Sequence, residues 1–450
     1  MSYWYRRVFA LAIPLILSNL TQPLLSTVDT ILSGHLPGPA ALGGVALGGI
    51  FFNAIFWTFG FLRMATTGLV AQSHGASDHD EIRNHFTRAL LTAILIGSLI
   101  LVIQKPLISI ALDLLGATPE VHANALIYCS IRIWSAPASL ANYTILGYLL
   151  GRQRARSALI LQAVINIVNV AVALFLVLAR HWGIAGIATA TVSAEWTGCL
   201  IGLAIVAFSG LNLLQIFHMQ NWPTILHGPS LKRLVALNRD ILLRTVSLVA
   251  AYALFARTGA QSGDAILAAN SVLLNFHWIA SYGLDGFANA AEALVGESIG
   301  AQRRDDYRSI LRACSVSAFA VAALTALAYW IFGRQIIAIF TNQQPIRALA
   351  AQFLPWMILT PLISVWSFLF DGIFIGATRA HDLRNSMLLA FAGFLVLDLT
   401  LHHYFGNHGL WAAMLGFMVL RAASLYLRLP RVEQSSFSAD TTPASQLYPA

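Results

Sequence analysis

Charge is what this sequence has least of. Only 10% of its 450 residues are Asp, Glu, Lys or Arg, against about 25% in soluble domains. Hydrophobic residues make up 58%, and mean hydropathy is +0.71. That balance excludes a disordered chain, a nucleic-acid-binding domain and an ordinary soluble enzyme, and it requires a polytopic membrane protein. Lysine is nearly missing: of 27 basic residues only Lys105 and Lys232 are not arginine. Cysteine is as scarce. Cys129, Cys199 and Cys314 lie in apolar runs without metal-ligand spacing, which excludes a disulfide framework and predicts buried small residues. A Walker sequence, paired Cys or His ligands and a serine-nucleophile motif are all absent, so nothing provides for ATP-driven work, enzymatic chemistry or a bound metal.

What is present is apolar length. Segments long enough to span a bilayer fall at 8–33, 40–73, 86–112, 122–150, 157–179, 184–208, 240–259, 266–297, 310–333, 348–377, 384–405 and 408–428. Lipid offers backbone groups no partners, so these twelve segments are helices. The expected fold class is an all-α polytopic membrane protein with twelve helices in two six-helix lobes. The N-lobe covers 1–208, a polar linker 209–238, the C-lobe 239–428, and a Ser/Thr/Pro-rich disordered tail 429–450. The apolar run after Arg6 and Arg7 has no small-residue cleavage site and reads as an uncleaved first span.

Arginine is unevenly distributed. Arg6 and Arg7 precede span 1, Arg83 and Arg88 flank loop 2–3, and Arg152, Arg154 and Arg156 fill loop 4–5. Arg303, Arg304, Arg308 and Arg312 mark loop 8–9, Arg379 and Arg384 loop 10–11, and Arg428 and Arg431 follow span 12. The positive-inside rule then makes the even loops, the linker, the tail and both termini cytoplasmic, with a net charge of +8 explained by membrane orientation.

The halves repeat at one offset of 225 residues. Gly34–Leu42 matches Gly259–Leu267, and Gly68–Ala76 matches Ala293–Ala301. Arg83 matches Arg308, and Gly147, Gly151 and Arg154 match Gly372, Gly376 and Arg379. Each half has an even number of spans, so both insert the same way up, as in parallel-repeat transporters, where a cavity between lobes is the substrate path.

Acidic residues inside spans are costly, about 2.5–3.5 kcal/mol each at the bilayer centre, and so are functional candidates. Asp29, Glu195, Asp285, Glu292, Asp371 and Asp398 qualify, with Arg132, Arg244 and Arg257 as basic candidates. Asp29 is the sharpest. It follows Pro23, which frees the Asn19 carbonyl and lets span 1 bend. It reads either as a proton-loading site or as a static hydrogen-bonded aspartate. Asp285 and Glu292 share a face of span 8 and, with Asp371 and Asn270, are expected to form a second-lobe polar network with Arg244 or Arg257, or to bind cations.

Several stretches carry a family resemblance: VDTILSGHLPG (28–38), FGFLRMATTGLVAQSHGA (59–76), GDAILAANSVLLNF (263–276), YGLDGFANAAEALVGESIGA (282–301) and FLFDGIFIGATRAHDLRNSMLL (368–389). The chain resembles the MATE (multidrug and toxic compound extrusion) family, in its DinF-like branch, over nearly all of residues 5–428. The resemblance implies two six-helix lobes around a V-shaped cavity and export of cationic or amphipathic small molecules by an antiporter of the bacterial inner membrane. It implies H+ as the coupling ion ahead of Na+, and no cofactor. Small-molecule substrates and membrane lipids are the expected partners, with no nucleic acid, and the chain is expected to work as a monomer. The family's first-lobe cation site maps onto Asp29, Asn169 and Thr191, with Asn166 and Glu195 as neighbours, while its span-5 aspartate falls at Ala173 and is missing. That loss of a carboxylate favours H+ over Na+. A Na+-coupled exporter, a flippase for lipid-linked precursors and a non-transporting scaffold are the alternatives; the few basic residues within spans argue against the flippase.

Overall fold

The computed structural model describes residues 2–211 and 222–437, and every regular element in it is helical. Span 1 is Ser2–Gly34, span 2 is Pro39–Gly75 and span 3 is His79–Val102. Span 4 runs from Pro119–Arg132 through a 3-10 turn, Ile133–Ser135, into Ala136–Gly151. Spans 5 and 6 are Ala155–Ala179 and Gly183–Phe208. Spans 7 to 10 are Gly228–Gln261, Asp264–Gly300, Arg304–Phe340 and Gln344–Gly376. Spans 11 and 12 are Ala380–Phe405 and Asn407–Tyr426. Among the described residues, nine helices are long and apolar enough to cross a membrane.

The repeat is built into the backbone. Left-handed turn residues recur at the offset of 225: Gly38 and Gly263, Ser77 and Gln302, Gln153 and Thr378, His181 and Gly406 all have φ between 53° and 113°. Most of these positions are not glycine, and a non-glycine residue held there marks a turn that its surroundings impose. The same helix-ending bond closes matched spans: Asp78 N–H donates to the Ser73 carbonyl at 3.0 Å and Arg303 N–H to Ser298 at 2.9 Å. Arg154 N–H to Leu149 (2.7 Å) and Arg379 N–H to Phe374 (2.9 Å) repeat it.

Helix packing obeys the same offset. A Cβ at Gly147 would lie 2.6 Å from the Arg63 carbonyl, and one at Gly151 would lie 2.9 Å from that of Thr67. Their counterparts Gly372 and Gly376 meet the Ala288 and Glu292 carbonyls at 2.1 and 2.4 Å. Backbone therefore packs on backbone where span 4 crosses span 2 and where span 10 crosses span 8, the small-residue contact that membrane helices use in place of hydrophobic exclusion.

Three expectations about domain organisation change. Residues 228–238, expected as linker, are the first turns of span 7, and Arg88 caps the short helix Trp222–Ile225 before it by donating to the Thr224 and Ile225 carbonyls. Residues 212–221 of the expected linker, and 438–450 of the expected disordered tail, lie outside the described residues. The tail's first part, Leu429–Phe437, is a helix rather than disordered: Glu433 accepts from Arg304 (2.7 Å) and Arg308 (2.8 Å), Ser435 from Arg379, and Val432 is buried. Among the described residues, one compact unit contains 2–16, 74–77 and 235–437; the other contains 17–73, 78–211 and 222–234. The first turns of span 1 thus belong with span 8, where Arg7 pairs with Glu297 at 2.9 Å and Phe9 meets Phe287 edge to face at 5.6 Å.

Gly372→Val is expected to cost at least about 1–3 kcal/mol by overpacking, seen as a lower Tm of the detergent-purified protein. Gly283→Ala on span 8, with open space around its Cβ, should leave Tm unchanged; equal effects at both sites would refute the packing account.

Candidate functional site

Asp29 projects from span 1 into the interior of its unit and is 4% exposed. Its Oδ2 accepts the Tyr128 hydroxyl at 3.3 Å, and that hydroxyl accepts from Arg132 Nη1 at 2.5 Å. Tyr128 and Arg132 lie four residues apart on one face of span 4. Gly48 of span 2 makes room for them, since a Cβ there would fall 2.3 Å from the Tyr128 ring. The Arg132 guanidinium rests 4.7 Å above the Phe52 ring. Two buried atoms of this group have no hydrogen-bond partner, Asp29 Oδ1 and Arg132 Nε. The carboxylate is thus linked to its guanidinium through a phenol and keeps one oxygen open, which is the arrangement a group needs to take up and release a small cation.

The other expected first-lobe residues sort into separate pairs. Asn169 Nδ2 donates to Thr191 Oγ1 at 3.1 Å, both buried, and Asn169 Oδ1 has no hydrogen-bond partner. Asn166 Nδ2 donates to the Thr21 carbonyl at 3.2 Å, supporting span 1 just before Pro23. Glu195 accepts from Asn142 Nδ2 at 2.8 Å, and Arg132 stands within electrostatic reach of both Glu195 and Asp29. Asp29's own hydrogen bond is to Tyr128, which sequence reasoning did not single out; the Tyr–x–x–x–Arg spacing on span 4 was the available signal. Ala173, where the family's aspartate is missing, is completely buried.

The second-lobe network differs from expectation in its members. Asp371 pairs with Arg244, as expected, and also with Arg421, whose Nε reaches Asp371 Oδ1 at 3.2 Å. Arg421 is completely buried and was missed although it interrupts the apolar run of span 12. Arg257 is exposed and takes no part. Asn270 belongs elsewhere: it exchanges hydrogen bonds with Asn407 at 2.8 and 2.9 Å and accepts from Trp411 Nε1 at 2.9 Å. Asp285 is half-buried within electrostatic reach of Arg244. Glu292 is buried and contributes its backbone carbonyl to the Gly376 contact. Asp371 therefore ties spans 7, 10 and 12 together. Taking its charge away would strand two guanidinium groups in a buried site, so this carboxylate is a clamp, unlike the loosely tethered Asp29.

Comparison with known proteins fits this architecture. The MatE family model matches residues 14–175 and 242–402. The chain is 41% identical to the DNA damage-inducible protein F of Escherichia coli K12 over 93% of this chain and 91% of that one. It is 24% identical to a probable multidrug resistance protein NorM of Idiomarina loihiensis over 96% and 97% of the two chains. A MATE crystal structure in the bent conformation superposes with a TM-score of 0.85 at 18% identity, covering 96% of each chain, a likeness of fold.

Asp371→Asn should destabilise the protein by about 3–5 kcal/mol, because it leaves buried guanidinium charge uncompensated. Loss of monodisperse protein on size exclusion after mild heating would register it. Arg257→Gln, outside the cluster, should behave as wild type.

Proposed function

Since the chain belongs to the MATE family of multi-pass membrane transporters, we propose that it is a proton-coupled antiporter that exports hydrophobic, cationic or amphipathic compounds from the cytoplasm. The observation that carries this reading is Asp29: a buried carboxylate on a proline-bearing span, tethered through Tyr128 and open at Oδ1. Protonation removes its charge, weakens the link through Tyr128 to Arg132, and lets span 1 move about Pro14 and Pro23, with Asn166 supporting the Thr21 carbonyl beside the weak point. Asn169 and Thr191 supply polar groups to the same lobe. Asp371 is unsuited to this task because it is held by two arginines. The 41% identity to DNA damage-inducible protein F, and the NorM relative named for multidrug resistance, support export of small molecules.

One charge crossing about 100 mV releases roughly 2.3 kcal/mol, and a pH difference of about one unit adds roughly 1.4 kcal/mol. Together they exceed the cost of a hundredfold gradient of a neutral solute, about 2.7 kcal/mol. For a monovalent cation exchanged against one H+ the electrical terms cancel, and the pH gradient does the work. The arginine-rich even loops support a bacterial inner-membrane placement with both termini cytoplasmic.

In proteoliposomes with an imposed pH gradient, a cationic dye should trigger proton flux with wild type and none with Asp29→Asn, which remains folded. Coupled flux surviving in Asp29→Asn would refute the assignment.

A further inference from the structure

We infer that Arg132 is the resident cation of the first lobe, a guanidinium joined to Asp29 through the Tyr128 hydroxyl that holds the place a metal cation would take. Two carboxylates from different spans act on this one positive side chain: Asp29 on span 1 is linked to it through the Tyr128 hydroxyl, and Glu195 on span 6, hydrogen-bonded to Asn142, lies within its electrostatic range. The remaining titratable or charged groups facing the cluster are Tyr128 and Cys129 beside Arg132, Cys199 beside Glu195, and Tyr143, which faces Glu195, Arg132 and Arg63. Tyrosine and cysteine are neutral near pH 7.

The guanidinium is held but not saturated. Nη1 is engaged by Tyr128, the plane is supported by Phe52 at 4.7 Å, and Nε is buried without a hydrogen-bond partner. Asp29 Oδ1 is an unused acceptor in the same cluster. One guanidinium neutralises one carboxylate, so with Asp29 and Glu195 both ionised a single negative charge remains in a poorly solvated site, where an unbalanced charge is costly. One further positive charge closes that balance. A proton on Asp29 does so without needing space. A sodium ion would need several oxygen ligands beside a group that carries only N–H donors and a fixed positive charge. Arg132 is thus a specificity-determining residue: it reserves the site for the proton and releases Asp29 toward Glu195 when the proton arrives. Asp371 shows the contrast, since two guanidinium groups bind it directly and the surplus charge there is positive, which gives a cation nothing to balance.

The transport consequence rests on the proposed role of Asp29; the selectivity itself is measured by binding alone. The experiment compares Tm in sodium chloride and in choline chloride at equal ionic strength for wild type, Arg132→Gln and Arg132→Lys. Wild type and Arg132→Lys should melt at the same temperature in both salts. Arg132→Gln, with two carboxylates and no resident cation, should be stabilised by sodium by several degrees. Equal sodium stabilisation of wild type, or a folded Arg132→Gln that ignores sodium, overturns the proposal. If Arg132→Gln folds in neither salt, radiolabelled sodium binding to wild type decides: saturable binding lost in Asp29→Asn overturns the proposal, and absence of binding upholds it. Proton coupling that survives Asp29→Asn would move the coupling site away from Asp29 and leave this ion selectivity standing.

Discussion

Backbone-on-backbone contact at Gly147, Gly151, Gly372 and Gly376 sets the helix spacing from which both lobes follow. In lipid, apolar side chains gain little by meeting each other, because the tails are as apolar as they are. Close approach of backbones supplies the packing instead. At Gly372 the adjacent residue is Asp371, and the tight contact with span 8 carries that carboxylate to where Arg244 and Arg421 converge. On span 2, Gly48 makes room for the Tyr128 ring in the same way.

The frame is duplicated; the charges are not. At an offset of 225, Asp29 corresponds to Leu254, Arg132 to Met357 and Glu195 to Leu420. In the other direction, Asp371 corresponds to Leu146, Arg244 to Asn19 and Arg421 to Trp196. Turn conformations, helix-ending bonds and glycine contacts therefore recur in both halves, while each lobe has its own electrostatics. The second lobe holds a carboxylate saturated by two arginines. The first holds one arginine among two carboxylates, joined to Asp29 through a tyrosine. A saturated ion pair stabilises a single arrangement, and an unsaturated one can exchange partners. This asymmetry suits one lobe to hold its shape and the other to respond to a proton.

Much of the site was legible in the sequence because buried charge is rare in spans. Asp29, Glu195 and Asp371 stand out against apolar neighbours, and Asn169 and Thr191 follow from the family pattern. Their partners were harder to read. Arg421 sits in span 12, 50 positions from Asp371, and Tyr128 is 99 positions from Asp29. Asn270, expected with Asp371, pairs with Asn407 and Trp411, since its place along span 8 meets span 12 rather than span 10. The helical tail at Leu429–Phe437 was masked by a Ser-rich composition; Glu433 and the arginines that hold it come from separate regions of the chain.

Sequence by itself determined the helical class, the twelve spans, the repeat and the identity of the buried carboxylates. Each of these depends on apolar length, local spacing or the cost of placing charge in lipid, and all are visible in a linear string. Tertiary structure alone decided which arginine serves which carboxylate, that Asp29 is reached through a phenol while Asp371 is gripped directly, and that the first turns of span 1 pack with span 8. Those outcomes turn on distances of a few ångströms between side chains from remote spans, and helix rotation and crossing set such distances only once the backbones have packed.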